Sequence, residues 1–229
     1  MLSQEEIKKQ VGVYAAGLVE TGTTIGLGTG STVYWLIEEL GKRVKQGLEI
    51  VIVPTSAQTA QLAKQADITV SNLDEVEKLA VTIDGADEID PTGQLIKGGG
   101  GALLQEKIVA SASEKLIIIA DSSKLVERLG KFPLPVEVIT FGYKQAQQKL
   151  LETGLCKEAV LRRKNGKIFI TDHQHFILDC SCEHILDPAA LNTAFHLIPG
   201  VVETGLFTDM ATSAIIGFDD GRIQEVNFQ

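Results

Sequence analysis

The first half of the chain alternates short runs of apolar residues with stretches of helical periodicity, which leaves few architectures open to it. Strand-like runs occupy 23–28 (TTIGLG), 49–55 (EIVIVPT), 68–70 (ITV), 80–84 (AVTID) and 115–121 (KLIIIAD). Helical patterns fall between them, over 31–40, 58–66 and 102–112. Apolar strands alternating with helices predict an α/β fold, a mostly parallel sheet with helices on both faces. A further helix precedes the sheet. Ser3 and Glu6 have capping-box spacing, and Ile7, Val11, Ala15 and Leu18 share one helical face. In 31–40 the inward set is Val33, Leu36, Ile37 and Leu40.

The pattern changes after Lys131. KFPLPVEVI (131–139) carries two prolines and leads into a helix over 144–153. Short alternating strands follow, separated by the turn signals KNGK (164–167) and DHQH (172–175), and then a helix over 188–196. These features predict a small α+β domain over 131–205. The runs 213–218 and 221–226 read as strands returning to the first sheet, so the larger domain takes 1–130 and 206–229.

A formal charge of −9 over 229 residues, with no basic stripe, argues against nucleic acid. A phosphorylated substrate would need a strong local site to overcome that field. The opening MLSQEEIKKQVG lacks the charged-then-apolar pattern of a signal peptide. The densest apolar run, LIIIA (116–120), is far shorter than the roughly 18–20 residues that cross a bilayer. Cys156, Cys180 and Cys182 are an odd number without a secretory signal, so free thiols in a reducing cytoplasm are expected.

Four segments have the residue types for chemistry. GLGTGST (26–32) ends the first strand and opens a helix, where N–H groups and three hydroxyls can cradle an anion. A dinucleotide fingerprint fails, because Ser31 occupies the third glycine position and no acidic residue follows about 20 residues on. A phosphate monoester fits better; a strand–helix turn without ligand is the alternative. DGADEID (84–90) crowds Asp84, Asp87, Glu88 and Asp90 at a strand end. Like charges so close suit acid–base work. A divalent metal or a solvated acidic loop are the other readings.

KGGGGALLQEK (97–107) places four glycines before a helix. Bare N–H groups and Lys97 suit a developing oxyanion, and Glu106 can remove a carbon-bound proton. The competing reading is a surface Glu–Lys pair behind a flexible loop. ADSSKLV (120–126) adds Lys124 past another strand end, as a second cation for phosphate or an ordinary exposed lysine. DCSCEH (179–184) with HQH (173–175) has no CxxC pair and is not read as a metal site.

Taken in order, GLGTGST, DGADEID, KGGGGALLQEK, DSSKLVERLGKFPLPVEV (121–138) and IPGVVETGLF (198–207) resemble the A type of the ribose-5-phosphate isomerase family. The resemblance runs from Ser3 to about Val226. It implies a Rossmann-like catalytic domain, a small α+β domain, no cofactor and no metal. It also implies a sugar phosphate as the small-molecule substrate and a homodimer or dimer of dimers. By that resemblance Thr29, Gly30, Ser31 and Thr32 form the phosphate and substrate loop. Asp84, Gly85, Ala86 and Asp87 form the acidic loop, and Lys97, Gly98, Gly99 and Gly100 the glycine loop. Glu106 matches the base, Lys124 a substrate lysine, and Lys8 a position that reaches the phosphate. The cysteines and DHQH match no functional motif of the family. A sugar-phosphate sensor, an amino-sugar-phosphate deaminase and a CoA transferase are the rival readings.

Overall fold

The computed structural model describes residues 1–228. The chain begins α1 (Gln4–Gly17), β1 (Thr23–Leu27), α2 (Ser31–Lys45), β2 (Ile50–Pro54), α3 (Ala57–Gln65) and β3 (Thr69–Val70). It continues β4 (Val81–Asp84), β5 (Glu88–Ile89), β6 (Leu95–Ile96), α4 (Leu103–Ser111) and β7 (Leu116–Asp121). Next come β8 (Leu134–Val138), α5 (Tyr143–Glu152), β9 (Glu158–Leu161), β10 (Arg163–Lys164), β11 (Lys167–Ile168) and β12 (Phe176–Ser181). The remaining elements are α6 (Pro188–His196), β13 (Val201–Thr204), β14 (Leu206–Phe207), β15 (Ser213–Gly217) and β16 (Ile223–Asn227).

Contacts divide the chain into two units. The first holds Met1–Ala86, Gln105–Lys124 and Met210–Gln229, and the second Asp87–Leu104 and Leu125–Asp209. The first unit is built on one seven-stranded sheet, ordered β16-β15-β7-β4-β1-β2-β3. Every neighbouring pair is parallel except β15 with the edge strand β16. This is the expected α/β fold. Ile25, Leu27, Ile52 and Ile83 pack with α1, α2 and α3 in one core, while Val53 packs with Val109 of α4 in another. The continuous apolar strands thus serve two covered faces.

α1 starts with the expected capping box: Glu6 N–H donates to Ser3 Oγ, and Ser3 N–H to Glu6 Oε2. Its buried face is Ile7, Val11, Gly12, Ala15 and Ala16. Leu18 departs from the expected stripe. It caps the helix and is exposed, and Val19 turns inward beyond it.

The second unit carries an antiparallel sheet, β13-β8-β12-β9, covered by α5 and α6. A hairpin, β10-β11, turns at Asn165 and Gly166, both with positive φ as a tight primed turn needs. β8 lies in the interior of the sheet, within the segment whose prolines suggested only a lead-in to a helix. Pro135 is tolerated because the β13 ladder ends opposite Val136, and beyond it Gly205 N–H donates to Pro135 O at 2.7 Å.

The unit boundaries differ from the expected breaks near 130 and 205. β6 pairs with β5 and β14 in a small antiparallel sheet. The buried Glu88 carboxylate accepts from Gly130 N–H at 2.7 Å and Phe132 N–H at 2.6 Å. Those links hold 87–104, 125–130 and 206–209 in the second unit.

Candidate active site

The seven-stranded sheet changes direction between β1 and β4. β2 and β3 extend it on one side, β7 and β15 on the other. Such a reversal opens a crevice beyond the carboxyl ends of the two central strands, where open α/β sheets bind ligands. Residues 28–32 follow β1, and β4 ends on Asp84.

Here backbone and carboxyl are packed together. Gly28 N–H donates to Ile83 O at 2.9 Å. A Cβ on Gly28 would stand 2.0 Å from Asp84 Oδ1, so only glycine fits. Asp84 is fully buried, and its Oδ1 accepts from Thr29 N–H at 3.0 Å and Gly85 N–H at 2.7 Å. Gly30, at φ 125°, precedes α2, and no side chain caps that helix. The first-turn N–H groups of α2 are therefore open to an anion, with the positive end of the helix dipole behind them. Ser31 lies exposed there and Thr32 is buried.

Thr29 plays a different part from that of a cradle hydroxyl. Its Oγ1 sits 2.8 Å from the hydroxyls of Thr55 and Ser56 and 3.1 Å from that of Thr59. With its N–H on Asp84, Thr29 braces the loop.

α4 brings Glu106 to the same edge. Val109 packs where a Cβ on Gly26 of β1 would lie, and Gln105 Nε2 donates to Pro54 O, the end of β2, at 2.8 Å. These contacts lay α4 across β1 with its first turn at the carboxyl edge. Glu106, in that turn, is 4% exposed. Lys124 ends the short 3-10 turn after β7, which Asp121 secures by accepting Ser123 N–H at 3.0 Å. Lys8 is half-buried on α1, whose first turn is tied to α2 by the Trp35 Nε1–H bond to Glu5, 2.7 Å.

The glycine loop belongs to the second unit. Lys97 follows β6, its N–H donates to Gly205 O at 2.8 Å, and it is 2% exposed. Its Nζ lies 5.3 Å from the ring centroid of Phe207 in β14, a cation–π contact. Gly101 N–H donates to Gly98 O at 2.9 Å, closing a turn with φ of 98° at Gly98 and 89° at Gly101. Both values lie where side chains are disfavoured. Gly99 N–H donates to Asp87 Oδ2 at 2.7 Å.

The four carboxyl groups of 84–90 are dispersed. Glu88 holds Gly130 and Phe132, and Asp90 Oδ1 accepts from Thr92 and Gln94 N–H groups within its own turn. Asp84 accepts from the Thr29 and Gly85 N–H groups, and Asp87 from that of Gly99. Among the described residues no three His, Cys, Asp or Glu side chains are grouped to hold a metal. All three thiols are unbridged, and burial, with Cys156 nearby, pushes the Cys182 thiol up to about 12. Among the described residues no helix is long and apolar enough to cross a membrane.

Two residues escaped the sequence reading. Gln105 anchors α4, and Arg162 donates to Gly98 O at 2.7 Å. Neither is marked by spacing or composition, because each acts on a backbone carbonyl distant in sequence.

Residues 51–221 match the family described as ribose 5-phosphate isomerase A (phosphoriboisomerase A). A ribose-5-phosphate isomerase A of Bacillus mycoides (strain KBAB4) is 55% identical over 216 residues, covering 94% of this chain and 97% of that protein. The ribose 5-phosphate isomerase from Plasmodium falciparum superposes with a TM-score of 0.94 at 39% identity, covering 98% of this chain and 99% of that one. A D-ribose-5-phosphate isomerase in complex with phospho-erythronic acid superposes equally well, TM-score 0.94 at 39% identity, covering 99% and 100%. On sequence and fold together, the chain belongs to the ribose 5-phosphate isomerase A family.

Proposed function

We propose that the chain interconverts D-ribose 5-phosphate and D-ribulose 5-phosphate through an enediolate, with Glu106 as the base. The observation that carries this reading is the buried Glu106 in the first turn of α4, on the sheet edge that also bears the uncapped amino end of α2. A carboxylate and an anion cradle on one edge suit a phosphorylated sugar whose carbon-bound proton must move. The relative that binds phospho-erythronic acid supports a phosphorylated sugar acid as a probe of this site.

In this reading the phosphate is held by the 29–32 loop, Lys124 and Lys8, and the sugar by 84–87 and 97–100. Asp84 or Asp87 assists ring opening. Glu106 then takes the proton from C2 of the open-chain aldose. The C2–H electrons form the C1–C2 double bond, and the C1 carbonyl electrons move onto O1. Lys97 and glycine N–H groups stabilise that oxyanion; removing one such donor from an enzyme typically costs about 3–4 kcal/mol of transition-state stabilisation. Glu106 returns its proton to C1, and the carboxyl group of Asp84 or Asp87 carries the hydroxyl proton from O2 to O1. The product is the ketose, and neither metal nor cofactor is required by the balance. On this reading the protein works in the non-oxidative branch of the pentose phosphate pathway, as a cytoplasmic homodimer or dimer of dimers.

The test is incubation with ribose 5-phosphate in excess chelator, followed by NMR. The expected result is ketose approaching equilibrium. Inert ribose 5-phosphate, with turnover of an amino-sugar phosphate instead, would contradict the proposal.

A further inference from the structure

The conformation of the glycine loop depends on a part of the chain outside the motifs. The peptide joining Gly98 to Gly99 is gripped at both ends. Its carbonyl accepts from Arg162 Nη1 at 2.7 Å, and its N–H donates to Asp87 Oδ2 at 2.7 Å. A trans peptide points these two groups in opposite directions, so guanidinium and carboxylate hold one plane from opposite sides. Gly99 O also lies 3.3 Å from Nη1, which turns the Gly100 N–H toward the Asp87 side.

Arg162 is itself immobilised. Nε donates to Asp179 Oδ2 at 2.9 Å, Nη2 donates to Asp179 Oδ1, and the Phe169 ring centroid lies 6.0 Å from the guanidinium carbon. A Cβ on Gly101 would meet that same ring at 2.3 Å. The segment through β10 and β11 thus supports the loop with both a cation and a wall.

We infer that Arg162 is a positioning residue for the isomerisation, setting the peptide planes of 98–100 that present Asp87 and the Gly100 N–H to the substrate. This rests on the proposed function and extends it to a residue that does not touch the sugar. Arginine is needed because its fork binds a carboxylate with two N–H groups while a third reaches the carbonyls; an ammonium group has no such geometry. A cation on the Gly98 carbonyl also polarises the N–H of the same peptide, strengthening its bond to Asp87.

The test compares wild type, Arg162→Lys, Arg162→Met and Asp179→Asn in steady-state turnover of ribose 5-phosphate, with thermal unfolding in parallel. Displacing a catalytic loop by about 1 Å costs about a hundredfold in rate. Arg162→Lys should therefore fold and lose about ten- to hundredfold in kcat with KM within about twofold, the pattern of an interaction expressed in the transition state. Asp179→Asn should lose less, in the same direction. If Arg162→Met does not fold, the lysine variant decides. A lower unfolding temperature with wild-type kcat in Arg162→Lys would make the residue merely structural and overturn the inference. Wild-type protein without turnover would overturn the isomerase reading itself, a result recognisable before any variant is made.

Discussion

Residues 28–32 and residues 97–101 are both glycine-rich loops opening toward a helix, yet they are held in place by different means. The first loop is shaped by the sheet. Gly28 bonds across to β4, Asp84 ends that strand, and the hydroxyls around Thr29 come from the turn after β2 and the start of α3. The second is shaped by side chains, of Arg162, Asp87 and Phe169, the first of them 64 residues away. A loop at a topological switch point takes its position from strand order. A loop hung from a small sheet needs long-range side-chain clamps, and its conformation is more easily altered by mutation elsewhere.

The largest effect tests the base that both loops are proposed to serve. Glu106→Gln keeps shape and burial while removing the proposed base. It should leave the unfolding transition unchanged and lower kcat by about a hundred- to ten-thousandfold. Thermal unfolding and stopped assays on the purified protein measure the two. Near-normal kcat would remove Glu106 from its role.

A smaller difference separates the loops directly. Gly28→Ala drives a methyl group against the buried Asp84 carboxyl at 2.0 Å and against the Asp84 Cα at 2.6 Å, where backbone cannot move aside. It should destabilise by about 1–3 kcal/mol and lower kcat/KM as Asp84 is displaced. Gly101→Ala meets the half-buried Phe169 ring, which can move, so its main cost is the strained backbone, about 1–3 kcal/mol. Activity should fall further in Gly28→Ala than in Gly101→Ala. The reverse order would break the comparison.

The smallest effect concerns a carboxylate of the acidic loop placed outside the chemistry. Glu88→Gln weakens the bonds to Gly130 and Phe132 N–H groups and should lower unfolding free energy by about 1–3 kcal/mol. Its kcat should stay at the wild-type value. Denaturant titration and turnover together separate the two.

The same contrast explains what could be read in advance. β1, β2, β4 and β7 were legible because a strand covered on both faces must be apolar throughout, and Asp84 because it ends such a strand. The place of Glu106 near the start of a helix was legible from the glycines before it. The small sheet of β5, β6 and β14 was not, since three two-residue strands carry no periodicity. β8 was obscured by Pro135, which is harmless only because of where a neighbouring strand stops. Leu18 fell on the right face of a helix that ends one residue earlier. Arg162 is one of two adjacent arginines, and only the tertiary structure tells which reaches the loop.

The central claim is that Glu106 carries a proton between C2 and C1, and conversion of ribose 5-phosphate in deuterium oxide tests it most directly. The account expects deuterium at C1 of the ribulose 5-phosphate formed by wild type, with turnover and exchange both lowered by about a hundred- to ten-thousandfold in Glu106→Gln. Ketose formed without deuterium, at a rate that survives Glu106→Gln, would contradict it.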